Sequence, residues 1–365
     1  MLAVKGKSST TTQVRDCLEA TGWFEVPGSY VLVDGQFGST GKGLLSCILS
    51  EVGASRITHV TSNAGPNSGH TAYLPGFGQK VMLQQIPVGS VTLNTLNCFP
   101  RSLLNGGSII DIDILAREVA DHGMEGKISV HPNAAIIRQQ DREAEATGGP
   151  AKIASTGKGV GAALAAKIMR ECNTAEFYEN DLSKFCQVET INWNWKKDCV
   201  LVETSQGFSL GVNSRFYPAT TSRECTVMQA VADARIPCSM VRKVAACYRT
   251  YPIRVGNTPV GYSGEGYADQ EEIKWIDIGR DPELTSVTKR ERRLFTWSRL
   301  QFMESVAANR PDLIFLNFMQ YLDPSRQKNF IERVVGDYKA MMGQQPDLVL
   351  LGYGPMNSDV AVWNG

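Results

Sequence analysis

The stretch Tyr30-Val31-Leu32-Val33-Asp34-Gly35-Gln36-Phe37-Gly38-Ser39-Thr40-Gly41-Lys42-Gly43 decides the fold. Its first four residues form a continuous apolar run bounded by turn residues, the pattern of a strand buried on both faces. Glycines then break the strand, and Leu44 to Val52 has helical composition. Strand, loop, helix is the unit from which α/β folds are built. The pattern returns late in the chain. Pro311-Asp312-Leu313-Ile314-Phe315-Leu316 and Pro346-Asp347-Leu348-Val349-Leu350-Leu351 both read as buried parallel strands, with the helical segment Gln327 to Met342 between them. We therefore expect an α/β fold with a large, mainly parallel central sheet flanked by helices. In such folds ligands sit where the loops leave the carboxyl ends of the strands.

Outward from this core, no domain-sized repeat, low-complexity tract or linker interrupts residues 29–365, which we read as one catalytic domain. Residues 1–28 read as an N-terminal extension: a polar run from Ser8 to Thr12, a short helix-like stretch ending near Trp23, and the Pro27-Gly28 boundary.

The 365 residues are 42% hydrophobic, enough for a large core, and carry 37 basic and 37 acidic side chains. A net charge of zero argues against a nucleic-acid partner held by the overall field, so a charged substrate must be gripped locally. No apolar stretch approaches the roughly 20 residues of a membrane span. Met1 to Thr12 lacks the apolar run of a secretory signal, and nine scattered cysteines without a CxxC pair read as reduced thiols in a cytoplasm. The four histidines lack metal-ligand spacing.

The chemistry is concentrated in glycine-rich loops. In the 34–43 loop, glycines let the backbone approach a phosphate, successive N–H groups with the following helix start form an anion cradle, and Lys42 adds a point charge. It is not a regular Walker A loop, which needs Gly where Gln36 stands and Ser or Thr where Gly43 stands. The competing reading is a tight strand–helix turn without ligand. A second loop, Ala154-Ser155-Thr156-Gly157-Lys158-Gly159-Val160-Gly161, repeats Ser-Thr-Gly-Lys-Gly before a helix-favouring run from Ala162 to Arg170. Two cradles suggest a donor triphosphate and a phosphorylated acceptor, against a plain surface loop. Between them, Asn63-Ala64-Gly65-Pro66-Asn67-Ser68-Gly69-His70-Thr71 follows a strand expected at Ile57 to Thr61. A lone histidine is more often structural, but His70 stands on a polar loop, where an imidazole can polarise an oxygen gaining charge in phosphoryl transfer.

These motifs resemble adenylosuccinate synthetase, whose loops read Gly-Thr-Gln-Trp-Gly-Asp-Glu-Gly-Lys-Gly and Asn-Ala-Gly-His-Thr. The resemblance continues through Gln84-Gln85-Ile86-Pro87-Val88-Gly89, Ser155 to Gly161, Glu203-Thr204-Ser205-Gln206-Gly207, Tyr217-Pro218-Ala219-Thr220-Thr221-Ser222 and Arg254-Val255-Gly256, in order. It implies a P-loop-like fold, a homodimer and Mg²⁺. By that resemblance Lys42 and the loop residues Gly38, Ser39, Thr40, Gly41 and Gly43, with Thr71, would hold the donor nucleotide. Ser39 and the Gly69 carbonyl would help bind the metal, and His70 would stabilise the transferring phosphoryl group. The acceptor would lie against Ser39, Asn67, Ser155, Thr156, Gln206 and Thr221, with Arg170 reaching in from the partner subunit. Val287, Thr288, Arg290 and Arg292 match the family's aspartate-binding loop, and guanidinium forks suit a dicarboxylate.

Two departures refine the expectation. The family's catalytic Asp, which takes the N1 proton of inosine monophosphate, is here Ser39. A serine leaves room for, and can accept from, a 2-amino group, so the acceptor expected is dGMP or GMP. The serine marks the phage branch of the family, which makes N6-succino-2-amino-deoxyadenylate from dGMP for 2-aminoadenine DNA; host cytoplasm is then the expected location. Second, the family's guanine-reading Thr-Lys-x-Asp is here Leu316-Asn317-Phe318-Met319-Gln320. Gln320 both donates and accepts, which suits adenine, so ATP or dATP is the expected donor. Its base would lie against Asn317, Gln320, Gly352, Gly354 and Pro355. The alternatives are an IMP-directed synthetase and a nucleotide-binding regulatory protein without chemistry. An intact set of His70, Gln206, Arg170 and the arginine loop speaks against the latter, because a switch has no use for an aspartate site.

Overall fold

The computed structural model describes residues 9–76, 78–285 and 289–365. Among these residues the principal sheet has ten strands: β1 (Gly28–Asp34), β2 (His59–Ser62), β3 (Arg101–Leu104), β4 (Ile128–Val130), β5 (Gln187–Val188), β6 (Cys199–Glu203), β7 (Val241–Arg249), β8 (Leu313–Asn317), β9 (Leu348–Gly352) and β10 (Val360–Val362). Their order is β10-β9-β8-β7-β1-β6-β2-β3-β4-β5. Every neighbouring pair is parallel except β9 with β10. The mainly parallel sheet expected from the sequence is present, and so is its cause. Along β1, Tyr30 and Leu32 enter one buried cluster while Val31 and Val33 enter the other. In β8, Leu313 and Phe315 alternate in the same way with Ile314 and Leu316. A strand covered on both faces needs apolar side chains at every position, which is why these segments read as unbroken apolar runs.

Five helices matter here: α1 (Thr12–Ala20), α2 (Lys42–Val52), α3 (Val160–Ile168), α4 (Arg299–Asn309) and α5 (Pro324–Met342). α2 packs Leu44, Leu45, Ile48 and Leu49 on one face of the sheet. On the other face α4 contributes Phe302 and Val306, and α5 Phe330, Ile331 and Val334. α5 starts on Asp323, whose side chain accepts from the Ser325 N–H at 2.8 Å, with proline at the first helical position, and it stops at Gly343 with φ 77°.

Residues 9–27 are built into this core. The Thr11 side chain caps α1, while Val14, Leu18, Trp23 and Phe24 are buried with the residues of α2. Thr10 and Arg15 both bond the Glu51 carboxylate at the end of α2.

The sheet also positions the site. The chain grows from β1 toward β5 on one side, inserts β6 beside β1, and then grows through β7 toward β10 on the other. The carboxyl ends of β1, β6, β7 and β8 therefore meet where the winding reverses, the expected place for a ligand crevice. Their last residues are polar and buried: Asp34, Glu203, Arg249 and Asn317.

Leu18 has no exposed surface. Leu18→Ala is expected to cost about 2–5 kcal/mol of stability, read as a lower denaturation midpoint in urea; an unchanged midpoint would show that α1 is dispensable to the core.

Candidate active site

The loop after β1 is organised from within by the Asp34 carboxylate. Oδ1 accepts from the Gln36 and Gly38 N–H groups at 2.9 and 3.1 Å. Oδ2 accepts from the Thr40 N–H at 3.4 Å, from the Thr40 hydroxyl at 2.5 Å, and from Lys42 Nζ at 3.4 Å. Three of the N–H groups expected to cradle an external anion are thus turned inward. What remains for a ligand is Lys42, whose Nζ also donates to the Gln206 carbonyl at 2.7 Å, and the unpaired N–H groups of the α2 start. Gly41, at φ 99°, precedes α2, and a Cβ there would lie 2.0 Å from the Asn317 amide nitrogen. The 206–207 turn presses equally close: a Cβ on Gly207 would lie 2.2 Å from the Gly38 nitrogen.

The second glycine loop departs from expectation in the same sense. The Gly159 and Gly161 N–H groups at the start of α3 donate to Glu145 at 2.7 and 2.6 Å. That carboxylate is buried and fills the anion cradle read from the sequence, so the helix start is not open to a phosphate. Ser155 and Thr156, before the helix, still face the cavity.

The cavity is about 850 Å³ and joins both loops. It brings together Gly38 to Gly43, Asn67, Gly69, His70, Thr71, Ser155, Thr156, Gln206, Thr221, Arg292, Asn317, Gln320, Gly354 and Pro355. Several buried polar atoms along it lack a protein partner: Asn67 Oδ1, Gln206 Nε2, Ser222 Oγ and Gln320 Oε1. A buried polar atom left unpaired costs about 1–3 kcal/mol, so such atoms mark where a polar ligand is accommodated.

Not every expected residue is there. Arg170, expected to serve the partner subunit's site, is exposed, lies off this chain's own cavity and donates to the Ile168 carbonyl. Arg290 is turned to the backbone carbonyls of Gly256, Ala154 and Ser155 and does not line the cavity. Gly352 underlies Asn317. The Asn317 amide is itself engaged, donating to the Thr40 carbonyl at 3.2 Å and accepting from the Phe318 N–H at 2.8 Å. It ties the phosphate loop to β8 while still lining the cavity. Val287 and Thr288 lie outside the described residues.

Ser39 adopts φ 57°, and its hydroxyl oxygen accepts from the Arg292 guanidinium. Around it is a group that motif reading missed. Arg249, fully buried, forms a fork on Glu283 at 2.7 and 3.1 Å, stacks 4.0 Å over Phe318 and reaches the Ser39 carbonyl at 3.4 Å. Tyr321 donates to Glu283 at 2.8 Å. Burial pushes the Glu283 carboxyl up, but the Arg249 charge and the hydrogen bonds outweigh it and hold it below the usual carboxylate range. Arg292 is pushed down to about 10 by burial and by the Arg249 charge, partly offset by Glu283.

His70 opens a hairpin strand, His70–Tyr73, paired antiparallel with Lys80–Leu83. Burial, reinforced by the Lys42 charge, pushes its imidazole down to about 3. The ring is therefore neutral at ordinary pH and can donate a hydrogen bond without adding a second cation. Among the described residues no cluster of three or more His, Cys, Asp or Glu side chains could hold a metal. Ser39 and Gly69 offer a hydroxyl and a carbonyl, while Asp34 is already engaged. This sparse oxygen set fits Mg²⁺ only as an ion carried largely by substrate phosphates and water.

A family model described as adenylosuccinate synthetase matches residues 31–190 and 173–327. Over 363 residues the chain is 37% identical to the N6-succino-2-amino-2'-deoxyadenylate synthase of Salmonella phage PMBT28, covering 90% of this chain and 96% of that one. Over 345 residues it is 34% identical to the synthase of the same name from Vibrio phage phiVC8, with the same coverage. Among solved structures it resembles the cyanophage S-2L succinoaminodeoxyadenylate synthetase bound to dGMP and dATP as an energy donor. The TM-score is 0.80 at 32% identity, over 92% of this chain and 95% of that one. Fully ligated adenylosuccinate synthetase from Plasmodium falciparum gives a TM-score of 0.71 at 16% identity, over 92% and 99% of the two chains, a likeness of fold alone.

Two outcomes follow from this geometry. Asp34→Ala strands Lys42 and the inward N–H groups, and is expected to cost about 3–5 kcal/mol with loss of triphosphate binding, both checked by calorimetry. The folded pKa of His70 lies below its ordinary 6.5, so the unfolded chain takes up the proton first. Stability contributed by the neutral ring is intact above pH 6.5 and declines as pH falls toward 3. NMR titration should find the His70 ring neutral at pH 5; a midpoint near 6.5 would contradict its burial against Lys42.

Proposed function

The chain belongs to the adenylosuccinate synthetase family, and on that premise we propose that it joins L-aspartate to C6 of dGMP. ATP or dATP is hydrolysed through a 6-phosphoryl intermediate, and the product is N6-succino-2-amino-2'-deoxyadenylate. One observation carries the reading: the uncharged Ser39, with its hydroxyl turned to Arg292, stands where the family has an aspartate. The phage synthases to which the chain is similar, and the cyanophage enzyme bound to dGMP and dATP, support the same acceptor and a deoxyadenosine donor.

The donor triphosphate lies along Gly38 to Gly43 with Lys42 at its phosphates. Its adenine faces Gln320, whose unpaired Oε1 accepts from an exocyclic amine. The acceptor lies along Asn67, Ser155, Thr156, Gln206 and Thr221. In the first step the purine N1 proton passes to water, the 6-oxygen attacks the γ-phosphorus, and the bond to the β-bridging oxygen breaks to release ADP or dADP. His70, neutral, donates a hydrogen bond to the oxygens that gain charge. The Ser39 hydroxyl, already accepting from Arg292, keeps a second lone pair for the purine 2-amino group and acts as a contact, not as a base. In the second step the aspartate amine attacks C6 and expels phosphate. Arg292, with Val287 and Thr288, holds the two carboxylates, while Arg290 braces the backbone at Gly256, Ala154 and Ser155. Mg²⁺, when bound near Ser39 and Gly69, neutralises charge on the donor phosphates. Arg170 stands on an exposed apolar surface with Ile168 and Met169, 63% and 71% exposed, which suits a homodimer in which it serves the partner's acceptor site. Residues 29–365 form the catalytic unit of this scheme.

Phosphate release with dGMP, aspartate, Mg²⁺ and dATP tests the reading directly. A Ser39→Asp variant should lower kcat/KM for dGMP relative to IMP by at least about tenfold, equivalent to 1.4 kcal/mol. A parent enzyme that turns over IMP and not dGMP, or a variant that keeps the parent's ratio, would sink it.

A further inference from the structure

Glu51 lies next to the last residue of α2, and its side chain is only 10% exposed. Its Oε2 accepts from the Thr10 N–H at 2.9 Å and from the Thr10 hydroxyl at 2.7 Å, while Arg15 Nη2 donates to Oε1 at 3.3 Å. The same Oε2 accepts from Asn357 Nδ2 at 3.0 Å. Asn357 has no exposed surface, and its Nδ2 also meets the Cys47 sulfur at 3.5 Å. Cys47 and Glu51 stand one turn apart on α2, so the Asn357 amide is seated on one face of that helix.

Asn357 opens the 3₁₀ turn Asn357–Asp359 in the loop between β9 and β10. That loop closes on itself. Asp359 Oδ2 accepts from the Met356 N–H at 2.9 Å, and the Asp359 carbonyl accepts from the Tyr353 N–H at 3.0 Å. Gly354 lies so close to the Asp359 carboxylate that a Cβ would not fit. Gly354 and Pro355 line the cavity, so the loop has one edge on the cavity and its root, Asn357, on α2. β10, which follows the loop, shares a buried cluster with Val14 and Leu18 of α1. Residues 9–27 thus hold the loop twice, through the Glu51 carboxylate and through the apolar layer on β10. Both segments lie outside the residues that the family model matches, so their meeting is seen only in the folded chain.

We propose that Glu51 is a positioning residue for the donor's base: held by Thr10 and Arg15, it fixes Asn357 and, through it, the Gly354–Pro355 edge of the cavity. The inference rests on the reading above that the donor's base lies against Gly354 and Pro355. It gives the N-terminal segment a part in donor binding. The phosphate loop stands at the other end of α2 and is held separately by Asp34. Loss of the Glu51 charge should therefore loosen the hold on the base and spare the hold on the phosphates. A neutral amide in its place offers one acceptor oxygen and turns N–H groups toward donors that now face a carboxylate.

The test compares dATP with inorganic tripolyphosphate, which has the donor's phosphates and no base, by calorimetry on the full chain with Mg²⁺ and no acceptor. Glu51→Gln should lower the ratio of dATP to tripolyphosphate affinity about tenfold, with the tripolyphosphate affinity itself within about twofold of the parent's. Thr10→Val removes one hydroxyl and leaves the charge in place, so it should lower the ratio about threefold; it carries the test should the Gln variant fail to fold. Thr10→Ser, which keeps the hydroxyl, should retain the parent ratio. A ratio unchanged in both Glu51→Gln and Thr10→Val overturns the proposal. So does an equal loss of dATP and tripolyphosphate, the mark of general damage to α2, or a fall in melting temperature with the ratio intact, the mark of a core cap alone. Pro355→Trp, at the edge itself, separates this inference from the reading beneath it. An unchanged ratio there defeats the placement of the base, whereas a lowered ratio there with an intact one in Glu51→Gln defeats the anchor alone.

Discussion

The Asp34 carboxylate is the interaction on which the site depends. By accepting from three backbone N–H groups, a threonine hydroxyl and Lys42, it fixes the phosphate loop before any ligand arrives. It also lowers the local positive charge, so that a folded, empty loop is tolerable beside α2. The protein repeats this device. Glu145 holds the start of α3. Glu203 takes the N–H groups of Val88 and Gly89 together with the Ser46 hydroxyl. Glu118 takes those of Gln84, Gln85 and Ile86. Loops rich in glycine have a large conformational entropy to lose. An internal anion at each one makes that loss part of folding instead of part of binding.

Placement of these groups at the ends of parallel strands explains their electrostatics. β1, β6, β7 and β8 end together, and their terminal side chains are buried. In that environment a charge lacking a partner is suppressed, as at His70, and a paired one is fixed, as at Glu283. A neutral histidine beside a lysine is thus a result of burial. It gives the phosphoryl group a donor on one side and a cation on the other.

Much of this was legible in the residues. The apolar runs Tyr30–Val33, Leu313–Leu316 and Leu348–Leu351 announced buried strands because both of their faces are covered. The glycine loops and the His70 segment could be located because loop chemistry is local in sequence. What escaped is non-local. Arg249 and Glu283 belong to distant elements, and no motif links them. Glu145 lies on a helix with no outward sign that it fills the next loop. Asn317 is expected at the donor base from its match to the family's base-reading motif; that its amide also ties the phosphate loop to β8 is not written in the motif. The carboxylate at the end of β1, just before a glycine turn, was the one signal that could have been taken further.

The union of α1 with β10 has a kinetic side. Val14 and Leu18 share their buried cluster with Val360, so segments from opposite ends of the chain complete one layer of the core. Until β10 is in place, the apolar face of that helix stays partly uncovered. Contacts of such wide sequence separation form slowly, because so much chain must be ordered first. Closure of this layer therefore requires residues far apart in the chain to meet, and the apolar face of α1 has its full cover only in the completed fold.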